Sequence, residues 1–363
     1  MISQDFPTDC VIEISSDDPG IGSIAQGFIK PAFGYFGAKQ RLASRIVEML
    51  PPHNAWVEVF CGSAVVTLNK PRAPIEVVND LDRNVVNLFT VLRENPAKLC
   101  EQVALTPYSR DEFTLARSDE ADLEPLEKAR RFLVATMMTV NGTSGSVNSG
   151  FSYSDSFVRG GREARVNRWY KLPERLEGII ERLRSVRVEN KDAVLIVKQY
   201  SDRPGTLMYL DPPYLMNRKH TYSIDANDFA FHDSLLKACV ASTAMLIISG
   251  YENNLYSEYL NSKNGWIEKK ILTTTGGTNG VTSERVEMLW TNIHFENAKK
   301  SGKVPLELTM SESMEKKVNP ARKPIASEIQ KNEPGEAISL AAPSYIKQRR
   351  KKLIVVDDLH VET

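Results

Sequence analysis

The sequence predicts an α/β protein built on an open, nucleotide-binding sheet. Three observations predict it. An apolar run of strand length, Leu207-Met208-Tyr209-Leu210, ends abruptly in Asp211-Pro212-Pro213-Tyr214. A segment alternating at strand period, Ala55 to Phe60, runs into Cys61-Gly62-Ser63-Ala64 and then turns helical over Val65 to Lys70. A second strand, Ile75 to Asn79, is closed by Asp80. Strand, glycine turn, helix, strand and terminal acid make the first unit of such a sheet, with Asp80 placed to accept from ribose hydroxyls. The turn holds one glycine where dinucleotide binders have three, which argues against a pyrophosphate-bearing cofactor.

At 363 residues the chain is long enough for two domains, or for one domain with a large insertion and tails. Basic and acidic residues balance at 46 each, so any surface for a polyanion must be local. Cys10, Cys61, Cys100 and Cys239 include no close pair, which favours a reduced protein. His53, His220, His232, His294 and His360 form no ligand-spaced cluster, so no metal is expected. The first residues carry acids where a signal peptide has a basic segment. The most apolar stretch, Val240 to Ile248, is too short to span a bilayer. A soluble, cytoplasmic protein without a membrane partner is the expectation.

Taken in order, residues 1–29 lack a sustained period and include Asp17-Asp18-Pro19-Gly20, which reads as an irregular leader. Lys30 to Lys39 is a glycine-containing loop that opens a helix with Leu42, Ile46 and Leu50 inward. A lysine at such a junction suits a carboxylate or phosphate, although a solvated lysine beside loop glycines is the commoner case. Beyond Asp80, Asn84 to Val140 is helical in pattern, and Leu126, Ala129, Phe132, Leu133 and Thr136 mark one face of a helix starting near Pro125. Then the texture changes. Asn141 to Gly150 is loop chemistry, followed by Phe151, Tyr153 and a basic run of Arg159, Arg162, Arg165, Arg168 and Lys171. Small polar residues, aromatics and arginines in a long connection suit a DNA-contacting loop, and equally a solvated linker into the helix Leu172 to Val186. The sheet resumes with Val186 to Asn190, past which Asp192 stands. The strand ending at Leu210, a helix over Phe231 to Thr243 and a strand over Met245 to Ser249 follow. Ile267 to Thr273 and Val286 to Asn292 read as an antiparallel closing pair, joined by a flexible link, Thr274 to Gly280, able to fold over a substrate. From residue 297 the chain has little to bury and reads as a polar, disordered tail with a basic cluster at Lys347 to Lys352.

The acid–proline turn carries the chemistry. Proline has no N–H to donate and a fixed φ, so the strand stops at Leu210 and a rigid turn presents Asp211 and Tyr214 at its carboxyl end. That set suits methylation of an exocyclic amine on a planar base, a weak nucleophile because its lone pair is delocalised into the ring. Asp211 and the Pro212 carbonyl can each accept one amine hydrogen, drawing the nitrogen toward tetrahedral geometry. Pro213 fixes the turn, and Tyr214 can stack on the base. An acid–proline turn capping an ordinary strand is the plain alternative, and the quartet alone leaves both open.

In this order the pieces resemble the Dam-type adenine-N6 DNA methyltransferases of bacteria and phages. The resemblance runs from about Lys30 to Asn292. It rests on Tyr35-Phe36-Gly37-Ala38-Lys39, Val57-Glu58-Val59-Phe60-Cys61-Gly62, Asn79-Asp80, Asp211-Pro212-Pro213-Tyr214 and Gly276-Gly277-Thr278. It implies a Rossmann-like S-adenosylmethionine-dependent methyltransferase sheet over residues 30–93 and 186–296. Residues 94–185 would be an inserted, mainly helical target-recognition domain. The implied cofactor is S-adenosyl-L-methionine, with Tyr35, Gly37, Lys39, Glu58, Phe60 and Gly62 near its methionine end. Asp80 would hold its ribose and Asp192 would accept from its adenine amine. The implied partner is double-stranded DNA, from which an adenine flips into the pocket at Asp211, Pro212, Pro213 and Tyr214. Asn141, Asn148, Arg159, Arg162, Arg165 and Arg168 would contact that DNA, and a restriction endonuclease is a further partner the resemblance admits. Val59 stands where the family often has proline, Ala64 where a second glycine is usual, and Ala38 for a common glycine. These changes should cost packing or affinity rather than mechanism. Asn141 to Tyr153 lacks the arginine that many relatives place there, so no target sequence carries over.

Two other readings stand beside this one. Methylation of an RNA base or a protein amide uses a similar quartet, and the large insertion with its basic loop favours DNA over it. A DNA-binding relative without catalysis is opposed by the presence of Asp211, Pro212 and Tyr214.

Overall fold

Strands form where short apolar, β-branched runs lie between turn signals, and helices where apolar positions recur at helical spacing. The computed structural model describes residues 11–12, 27–35, 39–118, 122–140, 150–215, 229–276 and 282–305, all within one unit, Met1–Glu307. The first elements are β1 Val11–Ile12, α1 Ala43–Met49, β2 Ala55–Glu58, α2 Val65–Asn69 and β3 Ile75–Asn79. A helical stretch follows: α3 Arg83–Glu94, α4 Pro96–Leu105, α5 Arg110–Leu115 and α6 Pro125–Met137. Then come β4 Val158–Arg159, β5 Arg162–Glu163, α7 Ala164–Tyr170, α8 Leu172–Leu183, β6 Val186–Glu189 and α9 Ala193–Tyr200. The chain continues through β7 Thr206–Leu210, α10 Phe229–Val240, β8 Met245–Gly250 and α11 Asn254–Tyr259. It closes with β9 Trp266–Gly276, β10 Thr282–Asn292 and α12 Ile293–Ser301.

Among the described residues one sheet has the order β1-β9-β10-β8-β7-β2-β3-β6. The block from β8 to β6 is parallel throughout, whereas β10 runs antiparallel to both β8 and β9. From β2 the chain moves outward through β3 to β6, then returns to the other side of β2 as β7. That reversal opens a crevice at the carboxyl ends of β2 and β7, where open α/β sheets take their ligands. β2, β7 and β8 are buried along their whole length, as parallel strands covered on both faces must be. On one face Val57, Met208 and Leu246 pack with Ile196 and Val197 of α9 and Leu235 and Leu236 of α10. On the other, Trp56, Tyr209 and Ile247 pack with Ile46 of α1, Val66 of α2 and Phe295 of α12.

Between β3 and β6 the chain leaves the sheet. Leu88, Phe89, Leu92, Leu99, Leu133, Leu176 and Leu183 line the inner faces of these helices and join a core that reaches the sheet through Val78. A buried ionic clamp ties α8 to β3. Both oxygens of Glu76 accept from Arg182, at 2.5 and 2.9 Å, and Lys70 donates to the same carboxylate at 2.7 Å.

Several segments differ from the sequence expectation. The basic run is not a plain loop: Val158–Arg159 and Arg162–Glu163 pair as a hairpin, and Arg165 and Arg168 lie on α7. Its turn residues Gly160 and Gly161 have φ of +62° and +73°, the left-handed geometry that two-residue hairpin turns need. Strands this short carry no detectable period. β9 and β10 pair as far as Gly276 and Thr282, so Thr274 to Gly276 of the expected link are strand. The rest of that link lies outside the described residues. Helical order also continues to Ser301, where Gly302 at φ +64° closes it, while residues 306–363 lie outside the described residues. Val11–Ile12 adds an edge strand parallel to β9 within the expected leader. Among the described residues no helix is long and apolar enough to cross a membrane.

Candidate active site

β2 passes into α2 through the glycine turn. Gly62 has φ +46°, and a Cβ there would lie 2.7 Å from a ring carbon of Tyr35, so only glycine fits beneath that ring. Ala64, at φ +53°, is the non-glycine residue with positive φ among the described residues. The methyl group where a second glycine was expected therefore sits in strained backbone, at about 1–2 kcal/mol. Asp80 braces this turn: Oδ2 accepts from the Gly62 N–H at 2.7 Å and Oδ1 from the Asp82 N–H at 2.9 Å. Burial lifts the Asp80 carboxyl to about 6 against the pull of those amides.

Glu58 ends β2 and is buried, with Oε2 accepting from the Thr67 N–H at 3.0 Å and from the Thr67 hydroxyl. Burial raises its pKa to about 8; the Thr67 bonds oppose the rise and the Asp211 charge adds to it. Glu58 is thus mostly a neutral acid at pH 7. Phe60 is half-buried and meets Phe231 edge-on at 6.3 Å. Asp192 is exposed and caps α9, its Oδ1 accepting from the N–H groups of Val194 at 2.9 Å and Leu195 at 3.2 Å. Gly37 lies outside the described residues.

Across the crevice, β7 ends at Asp211. Pro212 and Tyr214 are buried, and the Asp211 side chain is 17% exposed. Lys39, expected near the cofactor, lies against this quartet: its Nζ is 2.7 Å from each Asp211 oxygen and 3.1 Å from Glu287 Oε1, and it donates to the Tyr214 hydroxyl. That hydroxyl donates to Glu287 Oε1 at 2.5 Å. The Ser249 hydroxyl donates to Asp211 Oδ1 at 2.8 Å, with Tyr209 Oη 3.2 Å from Ser249. The Tyr214 ring lies 4.5 Å from that of Tyr251, tilted by 60°. Burial works against the Lys39 charge, but Asp211 and Glu287 outweigh it and hold its pKa above the ordinary ammonium value. Burial raises the Asp211 carboxyl, with Lys39 opposing. Sequence reading missed Glu287 and Ser249. The available signal was a carboxylate inside the otherwise apolar strand Val286 to Trp290, and a serine closing Met245 to Ile248.

The basic hairpin offers a second kind of surface. Tyr153, Phe157 and Val158 are exposed at 59%, 58% and 66%, beside the exposed Arg159, Arg162 and Arg165. Arg162 lies over the Tyr170 ring at 4.1 Å and Arg159 stands 5.9 Å from the Phe157 ring. Arg168 is half-buried, and burial with the nearby Arg165 lowers its pKa. Exposed rings among guanidinium groups fit a polyanion that also has bases to stack. Asn141 and Asn148 lie outside the described residues. Among the described residues no group of three or more His, Cys, Asp or Glu could hold a metal ion.

Residues 35–275 match the family model described as D12 class N6 adenine-specific DNA methyltransferase. Among solved structures the chain is similar to an rRNA methyltransferase from Streptomyces viridochromogenes, seen at 1.5 and 2.4 Å resolution. Identities are 12% and 13%, TM-scores 0.32 and 0.30, and both matches cover 76% of this chain and 93% of that one.

Proposed function

The chain belongs to the D12 class N6 adenine-specific DNA methyltransferase family, and from that membership we propose how its own residues perform the reaction. The enzyme methylates N6 of adenine in DNA, and methyltransferases of this kind draw on S-adenosyl-L-methionine, which supplies an electrophilic methyl on a sulfonium. The observation that supports a residue-level account is the meeting of Asp211 and the Gly62 turn across the sheet's point of reversal, where Glu58 lies opposite Tyr209 in register.

The residues fit such a cofactor. The Gly62 turn lets the Tyr35 ring lie directly against its backbone, and Asp80 and Asp192 offer carboxylates at the ends of β3 and β6. Tyr35, Gly37, Glu58, Phe60 and Gly62 would border its methionine end, Asp80 would take the ribose and Asp192 the adenine amine, while Lys39, grouped with them in the family pattern, is bonded to Asp211. On the other side Asp211 and the Pro212 carbonyl each accept one hydrogen of the target amine, Pro213 holds the turn, and Tyr214 stacks on the base. The adenine reaches them by leaving the duplex. Residues 94–185 act as the target-recognition part, with Arg159, Arg162, Arg165, Arg168, Asn141 and Asn148 as its DNA-binding residues.

The test is methyl transfer from labelled S-adenosyl-L-methionine to unmethylated duplex DNA, with RNA and protein as competitors. Label in N6-methyladenine that Asp211→Asn abolishes supports the account. Transfer that survives this substitution, or DNA and cofactor both bound without transfer, refutes it.

A further inference from the structure

We propose that Glu287 is a positioning residue for methyl transfer: it holds the Lys39 ammonium so that Asp211 can receive the adenine amine. This depends on the reading of Asp211 as acceptor of an N6 hydrogen. Oδ1 of Asp211 already takes Lys39 at 2.7 Å and Ser249 at 2.8 Å. A carboxylate oxygen has two lone pairs, so Oδ1 has no room for another donor. Among the described residues Oδ2 takes Lys39 alone, at 2.7 Å. Oδ2 is therefore the oxygen an amine hydrogen can use, and the ammonium stands in its way.

Lys39 is only 6% exposed, and a buried ammonium stripped of a carboxylate is strongly disfavoured. It needs somewhere to go within a short shift. Glu287 Oε1 is 3.1 Å from the same nitrogen, and the Tyr214 hydroxyl bonds to both groups. The sheet supplies this arrangement. Met288 of β10 pairs with Gly250, the last residue of β8, so Glu287 lies just past the carboxyl end of β8, on the edge that carries Asp211. Two carboxylates thus share one ammonium. When the amine docks, Lys39 transfers its weight to Glu287 and keeps a buried anion as partner. No bond is made or broken in this step, and only hydrogen bonds are exchanged. With Glu287 neutral, the ammonium would settle more firmly on Asp211 and compete with the substrate.

The experiment compares wild type with Glu287→Gln, Glu287→Asp and Asp211→Asn, using labelled S-adenosyl-L-methionine and unmethylated duplex DNA. The maximal rate, both KM values and the melting temperature are read for each. Glu287→Gln should lower the maximal rate at least ~30-fold with both KM values within ~3-fold, since it removes a preference expressed only when the amine docks. Glu287→Asp, which keeps the charge, should recover most of that loss. A Gln variant as fast as wild type, alongside an inactive Asp211→Asn, overturns the proposal and leaves the Asp211 reading standing. An active Asp211→Asn removes both. Equal losses in the Gln and Asp variants, or failure of both to fold, make Glu287 purely structural and also overturn it.

Discussion

Binding of a cationic cofactor beside Glu58 should expel a proton. The Glu58 carboxyl is 2% exposed, and burial lifts its pKa to about 8, with Thr67 and Lys70 opposing and Asp211 adding. A group with that pKa is about nine-tenths protonated at pH 7. If Glu58 faces the charged methionine end, the bound cation favours the carboxylate, and up to about 0.9 proton leaves per cofactor at pH 7. Calorimetric titration with S-adenosyl-L-methionine in phosphate and in Tris reads that number from the difference in heats. Glu58→Gln has no such proton, so subtracting its titration removes the cofactor's own ionisation. The same group leaves a mark on stability. Its folded pKa lies above the unfolded one, so its contribution is complete below about pH 4 and is lost as pH rises through about 8. The stability of wild type relative to Glu58→Gln should therefore fall between pH 5 and pH 9. A rise from 4.5 to about 8 bounds that fall at about 5 kcal/mol. Equal proton release in the two proteins refutes the placement of Glu58 at the cofactor, and parallel stability profiles refute the buried acid itself.

Asp211→Ala should abolish methylation while DNA affinity, read by fluorescence anisotropy, stays within a few-fold, because the group acts mainly on the reacting amine. Gly62→Ala places a Cβ 2.7 Å from the Tyr35 ring at positive φ, so cofactor affinity by calorimetry should fall at least ~10-fold with a lower melting temperature. Arg159→Ala and Arg162→Ala should each reduce the slope of log affinity against log salt by about 1, and an unchanged slope makes the hairpin a spectator. Glu76→Gln leaves Arg182 and Lys70 around a neutral group in a buried clamp and should cost about 3–5 kcal/mol in urea unfolding.

Much of the sheet was legible because its signals are local. Ile75 to Asn79 is a strand from end to end, and Asp211-Pro212-Pro213 stops β7 at Leu210 through proline's missing N–H and fixed φ, properties of the residues themselves. Gly62 was legible as the glycine of a strand-to-helix turn, and it takes a positive φ beneath the Tyr35 ring. The charge network was not legible. Lys39 and Asp211 are 172 positions apart, and Tyr214 and Glu287 are 73 apart. The local signals, a lysine at a loop–helix junction and a carboxylate inside an otherwise apolar strand, do not say that Lys39 and Glu287 meet each other or Asp211. Periodicity and turn chemistry are written by sequence neighbours, so the sequence alone determined the longer strands, the turns that end β2 and β7, and the acid at the end of β7. Which charges share a pocket depends on the order in which the strands assemble, and the protonation of Glu58 and Asp80 depends on burial that exists only once the helices cover the sheet. Those were decided by the tertiary structure.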